Sequence, residues 1–191
     1  MGRNKKYVPL TQQKYCCVPT SLSMVMYRHG IPLIPIEALG YALGLTVPAG
    51  DQWLFDKART GERPSAGWGT QIYQPEFEIN KVLKGLGIPL HVAVDSDIKS
   101  VDSLRQKLQA VQDADGDALL CFDNGKLWDL EVKGGHVCVF HGLDGDDVWM
   151  IDPERNVPKN RKVSLTKLFE AIDFHGPHNS CGVWNIEKVH D

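Results

Sequence analysis

The apolar residues of this chain change period partway along, and that change limits the class of fold open to it. Val18, Leu22, Val25 and Met26 recur at spacings of three and four, which predicts a helix over 17–29 stopped by Gly30. Residues 36–43 read as a second helix, with Pro35 at its start and Gly44 at its end, and 75–86 as a third. Residues 101–111 form an amphipathic helix with Leu104, Leu108 and Val111 on one face. Short strands are expected at 7–10 and 88–94. From residue 118 the apolar runs shorten to strand length, at 118–122, 135–142, 148–151 and 181–189. Asn124-Gly125 and Asp144-Gly145 read as hairpin turns, and 164–172 as a helix capped by Ser164. Helices first, then an antiparallel sheet with one helix inserted, give an α+β fold in which N-terminal helices pack on an antiparallel β-sheet.

The 191 residues are expected to form a single domain, 1–191, with a loop-rich insertion around 46–74. That insertion carries Trp53, Phe55, Trp68 and Tyr73 among prolines and glycines. Its aromatics either line or cover a cleft, with Trp68 and Tyr73 as candidate substrate-binding residues, or pack over the core. A hydrophobic fraction of 42% and a charged fraction of 24% are ordinary for a globular protein. The net charge of -3 gives no electrostatic case for nucleic acid or an anionic membrane as partner. No apolar run reaches membrane-spanning length, and Lys5, Lys6, Gln12, Gln13 and Lys14 break any signal-peptide core. Five cysteines, an odd number that includes the adjacent pair Cys16 and Cys17, argue against a disulfide framework. The expectation is free thiols in the cytoplasm, with unconventional secretion as the alternative route.

Three local features carry chemistry. Cys17 stands where the first helix begins, and there unsatisfied N–H groups and the positive end of the helix dipole favour a thiolate, the nucleophilic form of cysteine. Gln12 and Gln13 lie just upstream, where a side-chain amide could join the Cys17 N–H in an oxyanion hole. His136 opens one strand and Asp152 closes the next. The Asp144-Gly145 turn makes those strands antiparallel neighbours, so imidazole and carboxylate come close enough for one to orient the other.

The segment Gln13-Lys14-Tyr15-Cys16-Cys17-Val18-Pro19-Thr20-Ser21-Leu22 resembles the nucleophile helix of the C39-like cysteine peptidases, which have the papain-like fold. Gly135-His136-Val137-Cys138-Val139 and Val148-Trp149-Met150-Ile151-Asp152-Pro153 resemble the family's other two motifs. The resemblance implies a papain-like fold and a Cys17, His136, Asp152 catalytic triad acting on peptides. The chain departs from the pattern in three ways. Val18 replaces the usual glycine after the nucleophile, the cysteine is doubled, with the Pro19-Thr20-Ser21 register favouring Cys17 over Cys16, and Thr11 stands six residues before Cys17, where the family has its glutamine. The oxyanion role therefore stays open between Gln12 and Gln13.

The function expected is thiol-dependent hydrolysis of an amide or peptide bond in a peptide or protein substrate, with no cofactor and no metal. Glutamine deamidation or acyl transfer through the same triad is the alternative, and a catalytically silent binding module is the third reading. His175, His178 and Cys181 have weak metal-ligand character, and His136, Cys138 and His141 share one segment but not one strand face.

Overall fold

The structure is a computed structural model that describes residues 6–55, 61–131 and 134–189. The chain falls into two compact units, one of Met1–Leu90 with Pro153–Asn156, the other of His91–Asp152 with Val157–Asp191. The α+β expectation holds. No helix among the described residues is long and apolar enough to cross a membrane.

In the first unit the turn before Cys17 is made by Tyr15 at φ 71, a left-handed conformation unusual for a side chain of its bulk. Helix α1 (Cys17–Arg28) follows, with Val18–Met26 buried throughout. Pro19 is tolerated because the first turn of a helix has no intrahelical N–H bond to lose. Helix α2 (Ile36–Ala42) crosses close to α1 at Gly40, where a Cβ would sit 3.6 Å from the Cys16 sulfur and 3.3 Å from Leu45. Strands β1 (Thr46–Val47) and β2 (Ser65–Ala66) pair in parallel and bracket the loop-rich stretch. Cys16, Leu45, Val47 and Phe55 form a buried cluster under it. Residues 56–60 of the expected insertion lie outside the described residues. The expected helix at 75–86 is a 3-10 turn (Pro75–Phe77) followed by α3 (Ile79–Gly85), because the Glu78 carboxylate caps Asn80 and Lys81 and starts the helix afresh. The expected opening strand at 7–10 is irregular chain: Tyr7 is buried, but Pro9 cannot donate to a ladder.

The second unit is built on a six-stranded sheet in the order β3-β8-β4-β5-β6-β7. Its strands are β3 (Leu90–Asp95), β4 (Asp117–Asp123), β5 (Gly135–Asp144), β6 (Asp147–Ile151), β7 (Asn160–Ser164) and β8 (Gly182–Lys188). The β5–β6 hairpin turns at Gly145, φ 62, with Asp144 opposite Asp147. Alternate residues Ala118, Leu120 and Phe122 of β4, Cys138 and Phe140 of β5, and Val148 and Met150 of β6 share one core. Leu104 and Leu108 of α4 (Val101–Asp113) and Leu165, Leu168 and Ile172 of α6 (Leu165–His175) complete it. Asn124-Gly125 does not turn a hairpin. Asp123 accepts from the Lys126 N–H and caps a short helix, α5 (Asn124–Trp128), so the capping carboxylate overrides the turn dipeptide.

Burial distinguishes the two adjacent cysteines. Cys16 is fully buried in the first unit's cluster, whereas Cys17 is partly exposed. Burial pushes the Cys16 thiol far above its ordinary range, so it stays protonated in the folded chain. A thiol whose folded pKa is raised stabilises the fold at pH values below its unfolded pKa and loses that contribution as pH rises. We therefore expect Cys16→Ala to cost about 1 kcal/mol below pH 8. Above about pH 9 the deficit should shrink by up to roughly 1.4 kcal/mol per pH unit, so that near pH 10 it is gone or reversed. Urea unfolding of both proteins at pH 8 and pH 10 checks this, and a pH-independent deficit contradicts it.

Candidate active site

The sheet of the second unit sets the positions of its polar residues. His136 lies opposite Phe122 in the β4–β5 register, on the same strand face as Cys138. Asp152 stands one step beyond β6, its N–H donating to the Lys159 carbonyl at 2.8 Å, and so continues the β6–β7 ladder. Residues 136 and 152 are brought together: His136 Nε2 and Asp152 Oδ1 are 2.8 Å apart, both side chains almost wholly buried. A buried carboxylate accepts and cannot donate, so Nε2 carries the ring proton and Nδ1 is the basic nitrogen. The Phe122 ring meets the imidazole edge-on at 5.9 Å.

Close packing holds the imidazole in place. Gly135 precedes it because a Cβ there would come within 2.7 Å of His175 Nε2, at the end of α6. Burial lowers the pKa of His175, so this neighbour tends to be neutral. The Asp123 carboxylate accepts from Lys126 N at 2.7 Å and Gly134 N at 3.0 Å, which ties the start of α5 to the start of β5. Arg161 of β7 donates through Nη1 to Asp152 Oδ2 at 2.9 Å. No sequence motif marks this arginine. One donor atom each of His136, Cys138 and Asp152 lies within 4.8 Å of the others, a spacing close enough to hold a metal ion, and this is the group of that kind found among the described residues. His175, His178 and Cys181 do not converge in that way.

The first unit holds the other candidates. Cys17 is the first residue of α1, and its unit is not the one that carries His136 and Asp152. Gln12 is buried, with Nε2 donating to Glu154 Oε2 at 2.7 Å and Oε1 left without a partner. Gln13 Nε2 donates to the Leu54 carbonyl at 3.1 Å, and its Oε1 accepts from Arg155 Nη2 at 2.8 Å. Each amide thus has one N–H engaged and one remaining. The same turn anchors the aromatic stretch. Lys14 pairs with Asp51 at 2.7 Å, the Tyr15 hydroxyl donates to that carboxylate, and Trp68 meets the Tyr15 ring edge-on at 5.1 Å. Trp68 and Tyr73 are both more than half exposed and line a cleft of about 620 Å³ with Tyr41, Gln71, Gln74 and Phe77. Trp53 is exposed and does not line it.

No family model matches the chain. No curated protein matches it either. Solved structures do match, among them a crystal structure from Bacillus anthracis assigned provisionally as a C39-like peptidase. The two are 18% identical with a TM-score of 0.57, and the match covers 96% of each chain. At that identity the likeness speaks for the fold. The chain has the α+β architecture with an antiparallel sheet that its sequence motifs implied, and it shares that architecture with a C39-like peptidase.

Proposed function

We propose that the protein is a thiol-dependent hydrolase that cleaves an amide or peptide bond in a peptide or protein substrate. The observation that carries the reading is the buried His136–Asp152 pair, set at 2.8 Å on adjacent strands of a fold shared with a C39-like peptidase. In this reading His136 Nδ1 takes the proton of Cys17, and the thiolate sulfur bonds to the substrate carbonyl carbon. The carbonyl electron pair moves to oxygen, where the Cys17 N–H and an amide of Gln12 or Gln13 receive it. His136 then returns the proton to the leaving nitrogen as the C–N bond breaks. Water, deprotonated by the same imidazole, opens the thioester and restores the thiol. Asp152 orients the imidazole and offsets its transient positive charge. Of the two glutamines, Gln12 is favoured in this reading, because burial and the Glu154 contact hold its amide fixed. The cleft at Trp68 and Tyr73 receives substrate side chains, since the turn leading to Cys17 anchors its aromatic wall through Tyr15.

Three outcomes test the reading. With iodoacetamide near pH 6, Cys17 should alkylate at least about tenfold faster than free cysteine, and His136→Ala should remove the acceleration. Equal rates in both proteins would end the case for a coupled pair. On a peptide panel scored for both cleavage and ammonia release, Cys17→Ala should lose turnover while retaining its fold, and Cys16→Ala should keep most of it. Peptide fragments support hydrolysis, and ammonia without fragments points to side-chain deamidation. Asp152→Asn should lower kcat on the order of 10²-fold, because an amide can present the wrong atom to Nε2 and leaves Arg161 without its anion.

A further inference from the structure

Asp152 is the most deeply buried charged side chain of the candidate site, and His136 satisfies only one of its oxygens. Arg161 takes the other at 2.9 Å. In the β6–β7 register Arg161 lies opposite Met150 and shares strand parity with Val163, which belongs to the core. β7 is the last strand of the sheet, where charged side chains ordinarily turn to solvent. This one is four-fifths covered, and its guanidinium carbon lies 3.2 Å from the centroid of the Trp128 ring. The indole Nε1 makes no hydrogen bond among the described residues, so Trp128 contributes through its face. Two contacts hold that face. The Asp123 cap fixes the start of α5, and beyond its end Asp129 pairs with Lys167 of α6 at 2.5 Å.

We propose that Arg161, stacked on Trp128, is a positioning residue that keeps the Asp152 carboxylate ionised and aimed, and through it fixes the proton of His136 on Nε2. This rests on the hydrolase reading for its consequence in turnover, but not for its effect on the imidazole. A buried carboxylate without a cation would gain a proton or rotate, and either change releases the ring. A planar guanidinium can hydrogen-bond Oδ2 while lying flat on the indole; an ammonium supplies the charge without the stack. Other ionisable groups adjoin the pair: Cys138 on β5, and His175 of α6 against Gly135, with Asp123 of β4 acting on it. Arg161 is a cation in direct contact with the carboxylate.

The test is an NMR titration of the His136 ring in nitrogen-labelled protein, beside kcat and KM on a cleaved peptide, for wild type, Arg161→Met, Arg161→Lys and Trp128→Leu. Removing a positive charge favours proton uptake. The midpoint for the His136–Asp152 pair should therefore rise by about one pH unit in Arg161→Met. In that variant kcat should fall about 10- to 100-fold with KM within about twofold. Arg161→Lys should hold the midpoint near wild type and recover part of kcat, and Trp128→Leu should fall between. A purely structural arginine would not sort its variants by charge. A folded Arg161→Met protein with a wild-type midpoint overturns the proposal, as does a lysine variant whose midpoint moves as far as that of methionine. If Arg161→Met does not fold, the lysine and Trp128→Leu proteins decide it by the same midpoints. The titration needs no substrate, so it reads on Arg161 even where Cys17→Ala shows the hydrolase reading to be wrong.

Discussion

An ionised carboxylate taken out of water is among the most expensive things a small protein can hold, and the sheet of the second unit is organised around one. Asp152 is almost fully buried. Left alone, such a group costs several kcal/mol and recovers by gaining a proton. Here three adjacent strands each deliver one part of a compensated set: the imidazole from β5, the carboxylate from the end of β6, the guanidinium from β7. Antiparallel pairing is what makes this possible. In a hairpin the start of one strand lies beside the end of the next, so His136 and Asp152, sixteen positions apart, meet, with one register shift in the ladder between Phe140 and Gly142.

The same logic separates two cysteines that the sequence places side by side. Successive residues at a helix start project about 100° apart. Cys16 therefore enters the apolar cluster with Leu45, Val47 and Phe55, while Cys17 is left partly exposed. Gly40 is part of this arrangement, because its missing side chain lets α2 come close to the Cys16 sulfur. One thiol serves packing, and its neighbour has the exposure that reactivity requires.

The sequence shows these features unevenly. The short apolar strands, the Asp144-Gly145 hairpin and the Ser164 cap were legible, because each rests on local chemistry that tertiary structure had no reason to override. The α5 helix was not, since Asn124-Gly125 is a strong turn signal on its own and the deciding hydrogen bond comes from Asp123, a residue that also reads as the end of a strand. β7 is hidden in the sequence for a related reason. Asn-Arg-Lys-Val-Ser carries one apolar residue in five and looks like loop, as edge strands often do. Strand parity, with Arg161 and Val163 on one face, was the signal present. It acquires meaning only once Asp152 is known to need a partner there. The anchoring of the aromatic stretch onto the turn at residues 13–15 depends on contacts dozens of positions apart, which no local pattern encodes.

His136, Cys138 and Asp152 have the donor chemistry of a metal site, a nitrogen, a sulfur and a carboxylate oxygen within 4.8 Å. What such a set does depends on the charge beside it. With Arg161 bonded to Oδ2, the negative charge that a divalent ion would use is already neutralised, and an ion entering would meet a fixed cation sharing its carboxylate ligand. The arginine leaves Asp152 able to accept the Nε2 proton yet poorly suited to bind a second cation. A single residue on the edge strand thus biases the cluster toward handling protons, which is the property that a histidine serving a cysteine nucleophile requires.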